Sequence, residues 1–279
     1  MAGPSAPSPP LSLAALVVSA VLTAGCGADE PGFGGPASGD EVTAVATTPH
    51  VADLVRNVGG ERVEVHQILS PGADPHDYEP RPSDAAAVAE AAVVFRSGGD
   101  LDSWLDGLLE NAGDDAGVVT LGDEIDPAGG EAAAPELEAD PHWWQDPRNA
   151  IAAVQAIADT LAASDPEAGP AFRQSAREYT ARLERLDREI ARCMRQVPEG
   201  ERKLVTTHDA YGHYAARYGV EVVGALVPSR SSQAQPSAGE IDALVDQIES
   251  EGVNAIFSES PLNPELEDAV AAETGARVG

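Results

Sequence analysis

Apolar and polar residues alternate over residues 41–48, and the run is rich in valine, which predicts a first β-strand. Residues 51–58 then space their apolar side chains along one helical face and stop at Gly59-Gly60. The same grammar repeats. Residues 63–69 read as a strand and Ser83 as the cap of a helix running to Ala92. Residues 93–96 read as a short buried strand, 101–109 as a helix and 118–121 as a strand. Strands alternating with helices predict parallel sheets with crossover helices, an α/β fold. Residues 122–139 are acidic, rich in Ala, Gly and Pro, and without period, which predicts a mobile surface loop.

A helix is expected from 147 to 161, and the longest periodic segment follows it. Phe172, Ala176, Tyr179, Leu183, Leu186, Ile190, Cys193 and Val197 recur at steps of three and four. A helix over 172–197 is about 39 Å long, enough to cross from one lobe to another. Arginines interleaved with Glu178, Glu184, Asp187 and Glu189 give it a salt-bridged outer face. Cys193 falls on the apolar stripe and is expected in the core. The alternation then restarts, with strands at 203–206, 220–226 and 253–257 and helices at 211–218, 237–250 and 264–274. Gly219 stops the first of these helices, and Ser237 with Glu240 forms a capping box for the second. Residues 276–279 open a further strand, so the C-terminal lobe is expected to be incomplete.

Composition narrows the function. The chain has 279 residues and a formal net charge of −30. Lys203 is the only lysine and Leu204 follows it, so a phosphate-cradling G-x-x-x-x-G-K-[ST] loop is excluded. The acidity argues against nucleic acid, whose phosphates it would repel. Two cysteines, Cys26 and Cys193, make neither a disulfide framework nor a C-x-x-C site.

Residues 11–24 have the length of a signal-peptide core and are too short to span a bilayer. Thr23-Ala24-Gly25-Cys26 resembles a bacterial lipoprotein processing site, which makes Cys26 the expected lipidated residue and the membrane anchor. Residues 1–10 depart from that pattern in lacking Lys and Arg. The expected organisation is a signal peptide (1–25), a flexible tether (26–40), an N-terminal lobe (41–170), a connecting helix (171–198) and a C-terminal lobe (199–279).

Of six histidines, His76, His142 and His208 occupy Pro-rich or strand-end loops. Neutral imidazole suits a borderline divalent ion such as zinc. In open parallel sheets ligands bind beyond the C-terminal strand ends. Two lobes facing across a cleft would bring His76 and His142 from the first together with His208 from the second. A lone histidine in a loop is usually an ordinary surface or capping residue, and His50, His66 and His213 are read that way. Spacing alone does not lift the other three above it, since no H-E-x-x-H or H-x-H is present.

The flanking residues do. Thr47-Thr48-Pro49-His50 with Pro71-Gly72-Ala73-Asp74-Pro75-His76-Asp77-Tyr78, then Asp140-Pro141-His142-Trp143-Trp144-Gln145-Asp146-Pro147, then Thr207-His208-Asp209-Ala210-Tyr211, occur in this order. Together they resemble the zinc/manganese ABC-transporter solute-binding proteins. The resemblance implies two Rossmann-like lobes joined by one long helix. A metal ion would lie in the cleft between them, held by His76, His142 and His208, and be handed to an ABC permease driven by a separate ATPase. Histidine at the third position implies Zn2+ ahead of Mn2+. A monomer is expected.

Two features depart from the family. Residues 122–139 hold no histidine, where many zinc-specific members have a His-rich loop. The aspartate that often serves as fourth ligand would lie past residue 279, so the chain reads as truncated, with water, Glu259 or a loop carboxylate left for that position. An open three-histidine site is also the geometry of a catalytic zinc, so a zinc hydrolase is the alternative; Asp209 adjoins His208, yet adjacent residues seldom point to the same spot. A surface-adhesin role is compatible with metal binding and is not addressed by the sequence.

Overall fold

The computed structural model describes residues 41–112, 117–125, 137, 139–259 and 264–279. The expected signal peptide, tether and anchor residue Cys26 lie outside these residues, as does most of the predicted loop at 122–139. Among the described residues, no helix is long and apolar enough to cross a membrane.

Two four-stranded parallel sheets form two lobes. The first contains β1 (Val42–Ala46), β2 (Val63–Gln67), β3 (Val93–Arg96) and β4 (Gly117–Thr120), in the order β2-β1-β3-β4. The second contains β5 (Lys203–His208), β6 (Glu221–Val227), β7 (Ala255–Phe257) and β8 (Arg277–Val278), in the order β6-β5-β7-β8. The two orders are the same. In each the chain direction across the sheet reverses between the first and third strands, the switch point at which open α/β sheets leave a crevice. Val45 pairs with His66 on one side and with Val94 on the other, so β1 is the central strand of its lobe.

The helices are α1 (Pro49–Gly59), α2 (Pro82–Glu90), α3 (Asp106–Ala112), α4 (Pro147–Ser164), α5 (Gly169–Met194), α6 (Gly212–Tyr218), α7 (Ala238–Glu251) and α8 (Glu265–Thr274). α1 begins at Thr48, whose hydroxyl accepts from the Val51 N–H, and ends at Gly60 with φ 57°. α7 carries the predicted capping box, Ser237 and Glu240 bonding each other's backbone N–H. α1, α4 and α5 pack with the first sheet in one core built on Val55, Phe95, Ile157 and Phe172. Leu69, Val88 and Leu105 belong to a second cluster around α2.

Three local expectations change. α2 starts at Pro82 rather than at a Ser83 cap. Asp84 accepts the Arg81 N–H at 2.7 Å and the Tyr78 hydroxyl at 2.6 Å, so a carboxylate inside the first turn does the capping. The 101–109 helix divides into a tight 3-10 turn, Ser103–Leu105, followed by α3.

The third change concerns the long helix. Its stripe is buried only at its N-terminal end, through Phe172, Ala176 and Leu183, while Leu186 is 46% exposed and Cys193 is an exposed free thiol. Helical period alone does not say how far a neighbour extends. α1 and α4 cover the first half of α5, and among the described residues the stripe beyond Leu183 is partly buried at most. The second half meets the C-terminal lobe through a polar contact instead: Asp187 accepts from Arg217 at 2.6 and 2.8 Å and from the Tyr218 hydroxyl at 3.1 Å.

Leu183→Ala should therefore destabilise by about 2–4 kcal/mol and Leu186→Ala by less than about 0.5 kcal/mol, read by denaturant unfolding. Equal losses would place a partner over the second half of the helix. Cys193 should react with an aromatic disulfide reagent in the native protein as fast as it does in urea, as followed by peptide mapping.

Candidate metal centre

His76, His142 and His208 converge. One donor atom from each lies within 4.8 Å of the other two. The ring centroids stand 5.6 Å apart for His76 and His142, 5.5 Å for His76 and His208, and 5.0 Å for His142 and His208. His142 and His208 are buried and His76 is partly so. His66 lies exposed on the edge strand β2 and takes no part.

Each ring is held by its own loop. His208 is the last residue of β5, at the switch point of the second sheet. Glu259, just after β7, accepts from the His208 backbone N–H at 3.2 Å and lies 2.8 Å from Nδ1. Glu259 in turn donates its N–H to Thr207 Oγ1, and that hydroxyl donates to Glu267, which is buried in α8. Glu259 thus sits at the rear nitrogen of the His208 ring and orients it, rather than filling a fourth position in front.

His76 and His142 share a local device. Both lie in an Asp-Pro-His run, and in both the aspartate Oδ1 accepts the histidine backbone N–H at 3.0 Å. Proline fixes the middle residue, so the short carboxylate reaches forward two residues to close an Asx turn. At His142 the same Asp140 oxygen also bonds Nδ1, at 2.8 Å. At His76 the second oxygen of Asp74 instead accepts from the hydroxyl of Ser232, on the opposite lobe. The repeated Asp-Pro-His was visible in the sequence and is the signal that could have found both aspartates. Trp143 pins the second loop to the core through its indole N–H, which donates to the Ser97 carbonyl at 3.2 Å.

Two rear carboxylates dictate tautomers. With Nδ1–H committed to Asp140 and Glu259, His142 and His208 turn their Nε2 atoms toward each other at 3.2 Å. Lone pairs at that distance repel unless a proton or cation lies between them. Two imidazoles on one tetrahedral zinc, with Zn–N near 2.0–2.1 Å, stand about 3.3 Å apart. The spacing therefore fits a shared metal ion.

Electrostatics favours neutral rings at the periphery. His76 is pushed down to about 4, first by burial and then by its proximity to His142. Asp140 is pushed up by burial, but the hydrogen bonds from His142 prevail and hold it below its ordinary value. His50 stacks on Trp144 with centroids 3.8 Å apart and contacts the hydroxyls of Thr48 and Ser97. Burial, with a smaller contribution from His142, takes it down to about 3. His50 and Trp144 form an aromatic wall behind His142, whose ring meets Trp144 edge-on at 5.5 Å.

The sequence and the fold have counterparts among known proteins. Residues 44–279 match the family model described as zinc-uptake complex component A, periplasmic. A manganese-binding lipoprotein, MntA, of Halalkalibacterium halodurans is 31% identical over 266 residues, 94% of this chain and 85% of that protein. An iron ABC-transporter substrate-binding lipoprotein, MtsA, of Streptococcus pyogenes is 27% identical over 245 residues, 86% of this chain and 78% of that protein. The solved periplasmic zinc-binding protein TroA of Treponema pallidum superposes with a TM-score of 0.79 at 26% identity, covering 86% of this chain and 87% of that one. With a family model spanning both lobes and a solved relative of the same architecture, the chain belongs to the zinc-uptake component A family of metal-binding ABC-transporter solute-binding proteins.

Proposed function

We propose that this protein captures a divalent transition metal outside the cytoplasm, zinc first and manganese second, and delivers it to an ABC permease powered by a separate ATPase. His76, His142 and His208 are the proposed ligands. The observation that carries the reading is the pair of Nε2 atoms 3.2 Å apart, each aimed by a carboxylate behind its ring. The relatives' names range over manganese, iron and zinc, so kinship does not choose the ion. Donor chemistry favours zinc, because three imidazoles suit a borderline ion better than hard, oxygen-seeking manganese. Lipidation at Cys26 would hold the protein at the membrane, with residues 26–40 as tether and lobes at 41–170 and 199–279 joined by the helix at 171–198, working as a monomer. The lipoprotein names of MntA and MtsA support the anchor.

A hydrolase reading finds no support. The family is one of binding proteins, and the two carboxylates nearest the rings, Asp140 and Glu259, are occupied in bonding Nδ1 atoms. A general base has to be free to take a proton from metal-bound water.

Calorimetry of the metal-stripped protein should show one zinc per chain, bound more tightly than manganese. His142→Ala should abolish tight binding and Asp140→Asn should weaken it by about 10- to 100-fold. A folded wild-type sample that takes up no zinc would end this reading.

Acid has a second, metal-independent effect. His50 and His76 are neutral in the fold down to about 3 and about 4, whereas the unfolded chain protonates histidine near 6.5. Between those limits the unfolded state binds more protons, so stability rises with pH through the window and is lost as pH falls through it. The thermal midpoint of metal-free protein should drop steadily from pH 7 to pH 4. His50→Gln should flatten that slope, and an unchanged slope would mean that His50 is protonated in the fold.

A further inference from the structure

We infer that His213 is a positioning residue for metal capture: from the second lobe it fixes the loop of the first lobe that carries His142. The inference rests on His142 being a ligand, and it assigns a role to a histidine whose sequence context marks it as ordinary.

His213 lies in the first turn of α6 and is 3% exposed. Its Nε2 is 3.2 Å from the Asp140 carbonyl and its Nδ1 is 3.3 Å from Asn149 Nδ2. The amide nitrogen of Asn149 also donates to the Trp143 carbonyl at 3.0 Å, which sets the amide's orientation. His213 Nδ1 must then accept and Nε2 must carry the proton, which it donates to Asp140. One neutral imidazole thus grips the His142 loop at both ends: directly at Asp140, two residues before the ligand, and through Asn149 at Trp143, one residue after it.

Asp140 is gripped twice by the same helix. A Cβ on Gly212, the residue before His213, would stand 2.7 Å from Asp140 Oδ2, while Oδ1 takes both His142 bonds. The backbone of α6 therefore backs the carboxylate that orients the His142 ring. One turn further along α6, Arg217 binds Asp187 of the connecting helix and lies 3.9 Å from Asp146, the cap of α4. This short helix joins the connecting helix to the His142 loop. A change in the angle between lobes at α5 would shift α6 and with it the rear support of His142. That is a direct route from lobe orientation to metal affinity.

A merely structural buried histidine would give a different signature. Its loss would lower stability and leave the ring geometry at His142 as it was. The test compares wild type, His213→Leu, His213→Gln and Gly212→Ala by zinc affinity, zinc dissociation rate, the visible spectrum of the cobalt(II) form and the thermal midpoint of the metal-free protein. Glutamine places an amide nitrogen where Nε2 stands, so it keeps the bond to Asp140.

The expected result is a 10- to 100-fold loss of zinc affinity in His213→Leu, in the range for removing a group behind a ligand. It should appear mainly as faster dissociation, with an altered cobalt spectrum. His213→Gln should recover most of the affinity, and Gly212→Ala should reproduce the loss with His213 intact. Wild-type affinity and spectrum in His213→Leu would overturn the inference, as would equal weakness in His213→Leu and His213→Gln. If His213→Leu does not fold, Gly212→Ala decides: wild-type affinity there overturns the inference. A wild type that binds neither zinc nor cobalt would sink the metal-capture reading, and this inference with it.

Discussion

Two imidazole nitrogens facing each other at 3.2 Å are the constraint on which the rest of the centre depends. Neither ring can turn away, because each has its other nitrogen bonded to a carboxylate at 2.8 Å. Packing and hydrogen bonding hold the rings in place, the pre-organisation that the proposed cation site would require. The supports are layered accordingly. Behind His208 stand Glu259, Thr207 and Glu267, and behind His142 stand Asp140, Asn149 and His213.

The parallel sheets make this possible at modest cost. A parallel strand delivers its last residue to the same edge as its neighbours, and the two lobes have the same strand order. His208 ends β5 itself, so its backbone is tied into the ladder opposite Val227. His76 and His142 come from loops and need other anchors. Both use aspartate two residues earlier, with proline between, to convert a loose loop into a rigid turn.

Much of this was legible in the chain. Period and punctuation located the strands and most helices because those signals are local: valine alternation, Gly59-Gly60, Ser237 with Glu240. The loops that carry the candidate ligands stood out because proline and aspartate crowd around His76 and His142. What escaped depends on distant neighbours. Cys193 continues an apolar stripe, yet its burial depends on how closely another helix packs there; Tyr214 of α6 comes near, and the thiol is still exposed. His213 has no distinguishing local context. Its role comes from Asp140 and Asn149, 73 and 64 residues away in the chain. Capping of α2 by Asp84 rather than Ser83 turns on one residue of register, set by Pro82 at the helix start.

The contacts that tie the lobes together bear on what a metal ion held between them would do. Ser232 with Asp74, His213 with Asp140 and Arg217 with Asp187 are polar. A typical hydrogen bond of this kind contributes only about 0.5–1.5 kcal/mol net, since water replaces the partner when it opens. The first half of α5, by contrast, is fixed in the N-terminal core by Phe172, Ala176 and Leu183. Beyond Leu183 the helix leaves that core, and the hydrogen bonds it makes to α6 there run through Asp187. A cation bound by His76 and His142 on one side and His208 on the other, as proposed, would cross-link the lobes. Its ligation would exceed the sum of the few polar contacts, so the ion rather than the protein would set how firmly the lobes are held.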